Sequence, residues 1–384
     1  MKKVNINYLI ITTSVIISLL LFFGCDDKEN IPKKEDNSEP REEEEWAEWT
    51  EGHTVYVAGF ESVNGARVAR LWKNGIVQNL ESSVDINTFS GIVSSVANSV
   101  FAYNNDVYVA GFEEIVKYGE ISYHSRLWKN GEILNLTNGN FYEEAISVFV
   151  SKGDVYVLGH EMLGPIQDFG WAFKVWKNGE VEIFDEGYQK CEVNSLFVAN
   201  DTVYVVGCKT KRSELRLQAT IWKNGIAEDL ISESHDTSAN SIFIANDTVY
   251  VTGNTVEGIE KPNPNFAKLW KNGKEENIKF SSVNTVHVSG NDVYLVGRNG
   301  DMPILLKNGI MQNISNENYF SFFALDNDVY LAGYNDSCSN IVEHQNGEVH
   351  MHYGKAALWK NGKKLNLQIG EKGSIAWSVF VKYF

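Results

Sequence analysis

Three residues near the end of the chain have the types and spacing of a metal-binding set. In "NIVEHQNGEVHMHY" (340–353), His350 and His352 stand two apart, so an extended strand presents both on one face. A hairpin turning on Asn346-Gly347 places Glu343 across from His350. Two imidazoles and a carboxylate suit zinc or another divalent metal. A polar surface loop carries the same residues without any metal, and the sequence implies no cofactor. A second chemistry is suggested by aromatic residues standing beside acids: Phe141, Tyr142 and Glu144, Asp168 and Trp171, Tyr188 near Asp185, and His235 with Asp236. Flat rings stack on the C–H faces of sugars and carboxylates accept their hydroxyls, so these residues form a candidate ligand-binding face, although packing onto the body of the fold explains such rings as well. Cys191 and Cys208 flank one hairpin and form a candidate cross-strand disulfide in an oxidising compartment. His287, in "TVHVSG", reads as a core histidine. There is no Gly-x-Ser-x-Gly, no His-Glu-x-x-His, no phosphate loop and no dinucleotide fingerprint. A protein that is not an enzyme is therefore expected, although carboxylates gathered from separate segments leave no local signature.

The elements that must position these residues are repeated. "RLWKNGEILNL" (126–136) has six near copies, at residues 70, 174, 220, 268, 305 and 358. Around it four short segments recur in fixed order: a ("SLFVAN", 195), b ("TVYVVG", 202), c ("IWKNG", 221) and d, a half-polar run after the glycine. Their Val, Ile, Tyr, Phe and Trp content, bounded by Gly, Asn and Asp, predicts strands. From the Ser or Thr of strand a to the Tyr of strand b the offset is always nine. Strands c and d always meet through Lys-Asn-Gly, whose Asn-Gly accepts the positive φ angles of a type I′ turn. By contrast, the spacing from the glycine ending strand b to the Trp or Leu of strand c runs from 9 to 26. One end of the repeat is standardised and the other diversified. Trp72, Trp128, Trp176, Trp222, Trp270 and Trp359, with Leu306 in the sixth copy, then read as braces filling the space between copies, not as seven ligand sites.

This order predicts an all-β fold: a seven-bladed β-propeller of four-stranded antiparallel blades. The first copy begins with strand b ("TVYVAG", 54–59) and the chain ends on a lone strand a, "SVFVKYF" (378–384). The C-terminal strand is therefore expected to complete the first blade and close the ring, leaving no open sheet edge. A rival first strand, "WAEWT" (46–50), places Glu48 where other copies have Val, Leu or Ile. The pattern resembles tandem-repeat propellers found in uncharacterised bacterial lipoproteins. It has no Trp-Asp with Gly-His, no paired-glycine kelch motif and no Ser-x-Asp-x-Gly-x-x-Trp box.

Residues 1–24 read as a signal peptide: Lys2 and Lys3 precede the apolar run "YLIITTSVIISLLLFFG". "LFFGC" resembles a lipoprotein cleavage site, which implies lipidation of Cys25. Residues 25–45 then form a tether. Ten of the twenty residues after Cys25 are acidic and none is aromatic, too little apolar surface to order itself. The propeller is assigned to 46–384. The net charge of −16 repels phosphate backbones, which argues against nucleic acid. The expectation is a monomeric, membrane-anchored lipoprotein of the cell envelope, on the outer membrane and facing the surface or the periplasm. Its variable b–c and d–a loops would bind a glycan or another envelope protein. The alternative is a glycoside hydrolase or polysaccharide lyase with carboxylates from several blades.

Overall fold

The computed structural model describes residues 47–49, 51–83, 92–139, 142–163, 170–211, 216–232, 236–255, 267–276, 278–335, 342–345, 348–351, 354–370 and 373–383. All of them belong to one compact unit, Glu45–Phe384. Cys25, Phe141, Asp168, His235 and His352 lie outside the described residues.

Among the described residues every regular element is a strand, and the strands form seven antiparallel blades. Blade 1 joins Ser374–Tyr383 to His53–Val63, Ala66–Lys73 and Ile76–Gln78. The C-terminal strand thus supplies the inner strand of the first blade, as the order of repeats required. Ala47–Trp49 does not compete for that place. Its backbone bonds the outer strand of blade 7 (Ala47 N to Lys364 O, 2.7 Å), and Trp49 packs against the apolar core between blades 7 and 1. Blades 2, 5 and 6 are separate four-stranded sheets. In blade 7 the extra hairpin Val342–Gln345/Glu348–Met351 is inserted between strands b and c. Blades 3 and 4 share one continuous strand, Glu180–Ala199, which is the outer strand of one and then the inner strand of the next. The d–a connection here is itself paired, with Tyr188 opposite both Trp171 and Lys211, so no loop separates the two blades.

The Trp-Lys-Asn-Gly words are structural, and each residue contributes differently. The six tryptophans are almost fully buried and each packs against the preceding blade. Their indole N–H groups find partners there: Trp72 donates to the Gln368 carbonyl (2.7 Å), Trp128 to that of Glu81 (2.8 Å) and Trp222 to the Asp185 carboxylate (2.8 Å). In five copies the lysine lies over the strand-b tyrosine, at 5.4 Å for Lys177 and Tyr156, a cation–π contact. The asparagine imitates a backbone. In all seven copies its Oδ1 accepts the N–H of the second residue of strand b at 2.8–2.9 Å, and its own N–H bonds the carbonyl of that residue. Asn224 and Gly225 show the turn geometry, with φ of 48° and 81°. That pair of positive φ angles is what Asn-Gly tolerates.

Candidate functional site

The channel along the ring axis is lined by the seven inner strands, and each carries a β-bulge at the same place. The register slips between Ala97 and Ser99 in blade 2, between Val193 and Ser195 in blade 4, and likewise in the other five. The cause lies in the neighbouring strand b. Its terminal glycine stands so close to the bulged strand that a Cβ on Gly207 would lie 1.9 Å from the Glu192 carbonyl oxygen, and the six equivalent glycines face the same obstruction. Only glycine admits that approach.

Three rows of side chains circle the axis in consequence. The row nearest the short turns is aromatic: Phe101, Phe149, Phe197, Phe243, His287, Phe323 and Phe380. Successive ring centroids stand 4.5–5.1 Å apart all the way round. Above it lie Ser99, Ser147, Ser195, Ser241, Thr285, Ser321 and Ser378, all half-buried although they sit on innermost strands. Several of these hydroxyls accept a backbone N–H from the next blade, as Ser99 does from Val148 at 3.2 Å and Ser378 from Val100 at 3.3 Å. The third row, at the mouth, consists of the bulged residues themselves: Asn98, Ile146, Asn194, Asn240, Asn284, Phe320 and Trp377.

The mouth is chemically mixed where the two lower rows are uniform. Phe320 and Trp377 meet at a tilt, centroids 4.3 Å apart, and join Tyr334, Phe60, Phe112 and Tyr123 in one apolar cluster across blades 7, 1 and 2. Blades 2, 4, 5 and 6 contribute asparagines. Asn98, Asn194 and Asn240 each use Nδ2 to bridge to the next inner strand (2.9, 2.8 and 3.1 Å), which leaves their Oδ1 atoms as acceptors. Blades 3 and 4 also carry the acids Glu144, which is buried, and Glu192, which is half-buried. The mouth joins an aromatic wall to amide oxygens.

Some sequence-predicted site residues meet in this region and others do not. Tyr142, half-buried, stacks on His160 (5.6 Å, 15° between planes) and lies 4.9 Å from Tyr123. Trp171 crosses both Tyr142 and His160 edge-on at 6.0 and 5.4 Å. Burial corrects the expectation that Glu144 and Trp171 lie open on a loop face. Glu144 is 1% exposed and Trp171 9%, because strands b and c of blade 3 continue beyond the bulge and cover them. Glu144 Oε1 is 3.5 Å from His160 Nε2. Burial lowers the His160 pKa despite the opposing charges of Glu144 and Glu192. Tyr123 is pushed up to about 12, mainly by burial and then by Glu114. Asp236 acts locally, its Oδ1 accepting the Leu217 N–H at 2.8 Å. Glu343 and His350 are register partners in the blade 7 hairpin, as expected from the sequence; Asn346 and Gly347 lie outside the described residues. Among the described residues no group of three His, Cys, Asp or Glu gathers as a metal site.

The expected disulfide is not formed. Cys191 lies opposite Lys209 and Cys208 opposite Glu192, so the two thiols point to opposite faces of the sheet. The bulge at Asn194 is responsible, since it shifts the register of everything before it by one residue. Burial holds the Cys191 thiol well above its ordinary pKa. The lumen row at the mouth escaped the sequence reading. Its signal was present in the residue before each strand-a Ser or Thr, which varies among Asn, Ile, Phe and Trp while the position after it is always Ser or Thr.

No family model matches the sequence, and no curated protein does. Similar solved structures exist. One is the Pyrococcus horikoshii acylaminoacyl peptidase, at 12% identity and a TM-score of 0.43, covering 71% of this chain and 52% of that one. The β-propeller domain of the Trilobed protease from Pyrococcus furiosus is 15% identical, with a TM-score of 0.41, covering 70% and 91%. A sucrose-6-phosphate hydrolase from Lactobacillus gasseri is 11% identical, with a TM-score of 0.32, covering 84% and 85%. This chain thus spans about half the length of the first peptidase. The likeness is one of fold. It also corrects the expectation that the protein is not an enzyme: these neighbours are peptidases and glycoside hydrolases, so a missing local motif does not set this chain apart from enzymes. No activity passes from them to this chain.

Proposed function

We propose that this chain is a lipid-anchored protein of the bacterial cell envelope that binds a glycan at the channel mouth, on the face carrying the variable loops. The observation that carries the reading is the mouth row, where Phe320 and Trp377 share one ring of side chains with Asn98, Asn194, Asn240 and Asn284. A pyranose has two kinds of surface, C–H faces that stack on rings and hydroxyls that donate to amide oxygens. The Trp377 indole N–H is buried and has no partner among the described residues, which supplies a donor as well. The anchor reading rests on Cys25 and the acidic run behind it. It agrees with the positions of Trp49 and His53, both on the short-turn side: Trp49 covers the Gly75 turn and His53 opens strand b of blade 1. A protein held from there would present its mouth away from the membrane.

A second reading is favoured by one observation. Glu144 of blade 3 lies against His160, and the charge of Glu192, from blade 4, also reaches that imidazole. A glycoside hydrolase needs two carboxyl groups, and here neighbouring blades each bring one toward the same imidazole. One experiment separates the readings. The full chain is titrated with envelope and dietary polysaccharides while tryptophan fluorescence and newly formed reducing ends are followed together. Glycan binding predicts a saturable fluorescence change that Trp377→Ala weakens about tenfold or more, roughly the worth of one buried stacking ring. Reducing ends that disappear in Glu144→Gln would establish hydrolysis. Silence in both channels, with capture of an envelope protein instead, would defeat both.

A further inference from the structure

We propose that the channel binds a small monovalent inorganic anion of the halide class on its axis, between the hydroxyl row and the aromatic collar. The first argument is the orientation of the collar. Neighbouring ring planes turn by 39–61°, scattered around the roughly 51° by which successive blades of a seven-fold ring are rotated. The rings therefore stand parallel to the axis. Centroids only 4.5–5.1 Å apart rule out rings set edge to edge around the wall, because carbons approach no closer than about 3.5 Å. Each ring must instead lean its face against its neighbour's and point its edge inward, like a spoke. Aromatic edges carry the positive part of the ring quadrupole. Six phenyl edges and one imidazole edge then converge on the axis, a field that favours an anion. A cation would need the faces, which are spent on neighbouring rings.

The second argument is the row directly above. A Ser or Thr hydroxyl has one proton to donate and two lone pairs that accept. Ser99, Ser195, Ser241, Ser321 and Ser378 each accept a backbone N–H from the following blade at 3.2–3.4 Å. That bond fixes the oxygen in place and leaves its proton to point elsewhere. The Ser241 and Thr285 hydroxyls lie 3.5 Å apart, so one of their protons bridges the two; for the rest, half-buried on innermost strands, the lumen is the open direction. Donors thus ring the axis one layer above positive ring edges, and both favour the same sign of charge.

The third observation is His287. Six blades place phenylalanine in the collar, whereas this one places an imidazole whose Nδ1 is buried and has no partner among the described residues. An orphaned polar atom there lowers stability, and a polar ligand in the lumen gives it a use. The acidic charge of the whole molecule does not decide the matter. It is screened beyond about 8–10 Å at physiological salt, whereas the donors act at contact. The acids of blades 3 and 4, Glu144 and Glu192, do disfavour multiply charged anions, which restricts the ligand to a small monovalent one.

The test uses the full chain and two probes. Sodium chloride replaces sodium gluconate, a much bulkier anion, at constant ionic strength while the thermal midpoint is followed. Crystals soaked in sodium bromide are examined for anomalous scattering on the axis. The proposal expects a midpoint that rises with chloride and saturates, a bromide peak at the level of Ser241, and a chloride response displaced to about tenfold higher concentration in Ser195→Ala/Ser241→Ala, as loss of hydrogen bonds to a charged partner requires. It is overturned if chloride and gluconate are equivalent for the native chain, if the double variant responds as the native chain does, or if bromide appears only on the outer surface, an adventitious ion only. The bromide experiment needs no variant, so misfolding of the double variant leaves the proposal open to refutation.

Discussion

At the scale of single residues, the repeat makes departures from it measurable, and His287 is the clearest. Burial holds its pKa at about 3, against an ordinary 6.5. The sign follows from linkage. The unfolded chain takes up a proton below about pH 6.5, whereas the native chain resists until about pH 3. Acidification through that window therefore favours the unfolded state, by a limiting slope of roughly 1.4 kcal/mol per pH unit for one such group. His160, whose pKa burial also lowers, adds a contribution of the same sign. Substituting His287→Phe restores a uniform collar and removes only the first contribution. Urea unfolding between pH 7 and pH 4 is expected to show the variant gaining stability over the native chain as pH falls, by roughly 1 kcal/mol per unit once well below 6.5. Parallel curves would show that the imidazole is solvated in the native protein. The same scale shows how acids are neutralised in place. Burial alone would raise the Glu113 carboxyl, but bonds from Ser83 and Arg126 hold it below the usual range. Glu61 with Arg70 (2.6 Å) and Glu161 with Lys174 (2.5 Å) repeat that diagonal pair in blades 1 and 3.

At the scale of strands, most of the architecture was readable because it is written seven times. The nine-residue offset between strands a and b and the Lys-Asn-Gly link fix two hairpins per blade, and both hairpins stand in the structure. The bulge was not readable from these words, since an extra residue in one strand leaves the hairpin spacing unchanged. That omission misplaced Cys191 against Cys208 and hid the mouth row, whose members look like ordinary strand residues until the register slip turns them inward. Trp171 and Glu144, which the sequence places on a loop face, are covered by the longer strands of blade 3. The glycine that ends strand b is the sequence trace of the bulge. Its role predicts a specific cost. In Gly207→Ala the new methyl group would lie 1.9 Å from the Glu192 carbonyl oxygen, so either the bulge opens or strand b moves away. Overpacking of this kind costs roughly 1–3 kcal/mol or more. Chemical unfolding is expected to show a loss at the upper end of that range. A loss under about 0.5 kcal/mol, the level of a neutral surface change, would mean that the strands separate freely there.

At the scale of the whole molecule, closure of the ring is what converts seven similar sheets into one protein. The C-terminal strand Ser374–Tyr383 pairs with His53–Val63 along nearly its full length, through one bulge. It contributes Val379 and Val381 to the core between blades 7 and 1. It also sets Phe380 between Phe101 and Phe323 in the collar (4.5 and 5.0 Å) and holds Ser378 against Val100. A chain lacking residues 374–384 therefore loses more than one strand. It exposes the edge of strand b in blade 1, breaks the collar at one member and uncovers apolar side chains of two blades. An open sheet edge of that length recruits other chains. The truncated chain is expected to lose the parental cooperative melting transition in calorimetry and to associate at micromolar concentration. A synthetic peptide of residues 374–384 should restore part of the transition, because the vacated edge accepts one strand in one register, by β-augmentation. If the truncated chain melted at the parental temperature, six complete blades and a three-stranded remnant would be sufficient, and the ring would be held by blade-to-blade packing alone. Recovery with the peptide, but not with one of scrambled sequence, would instead place the closing interaction in this strand.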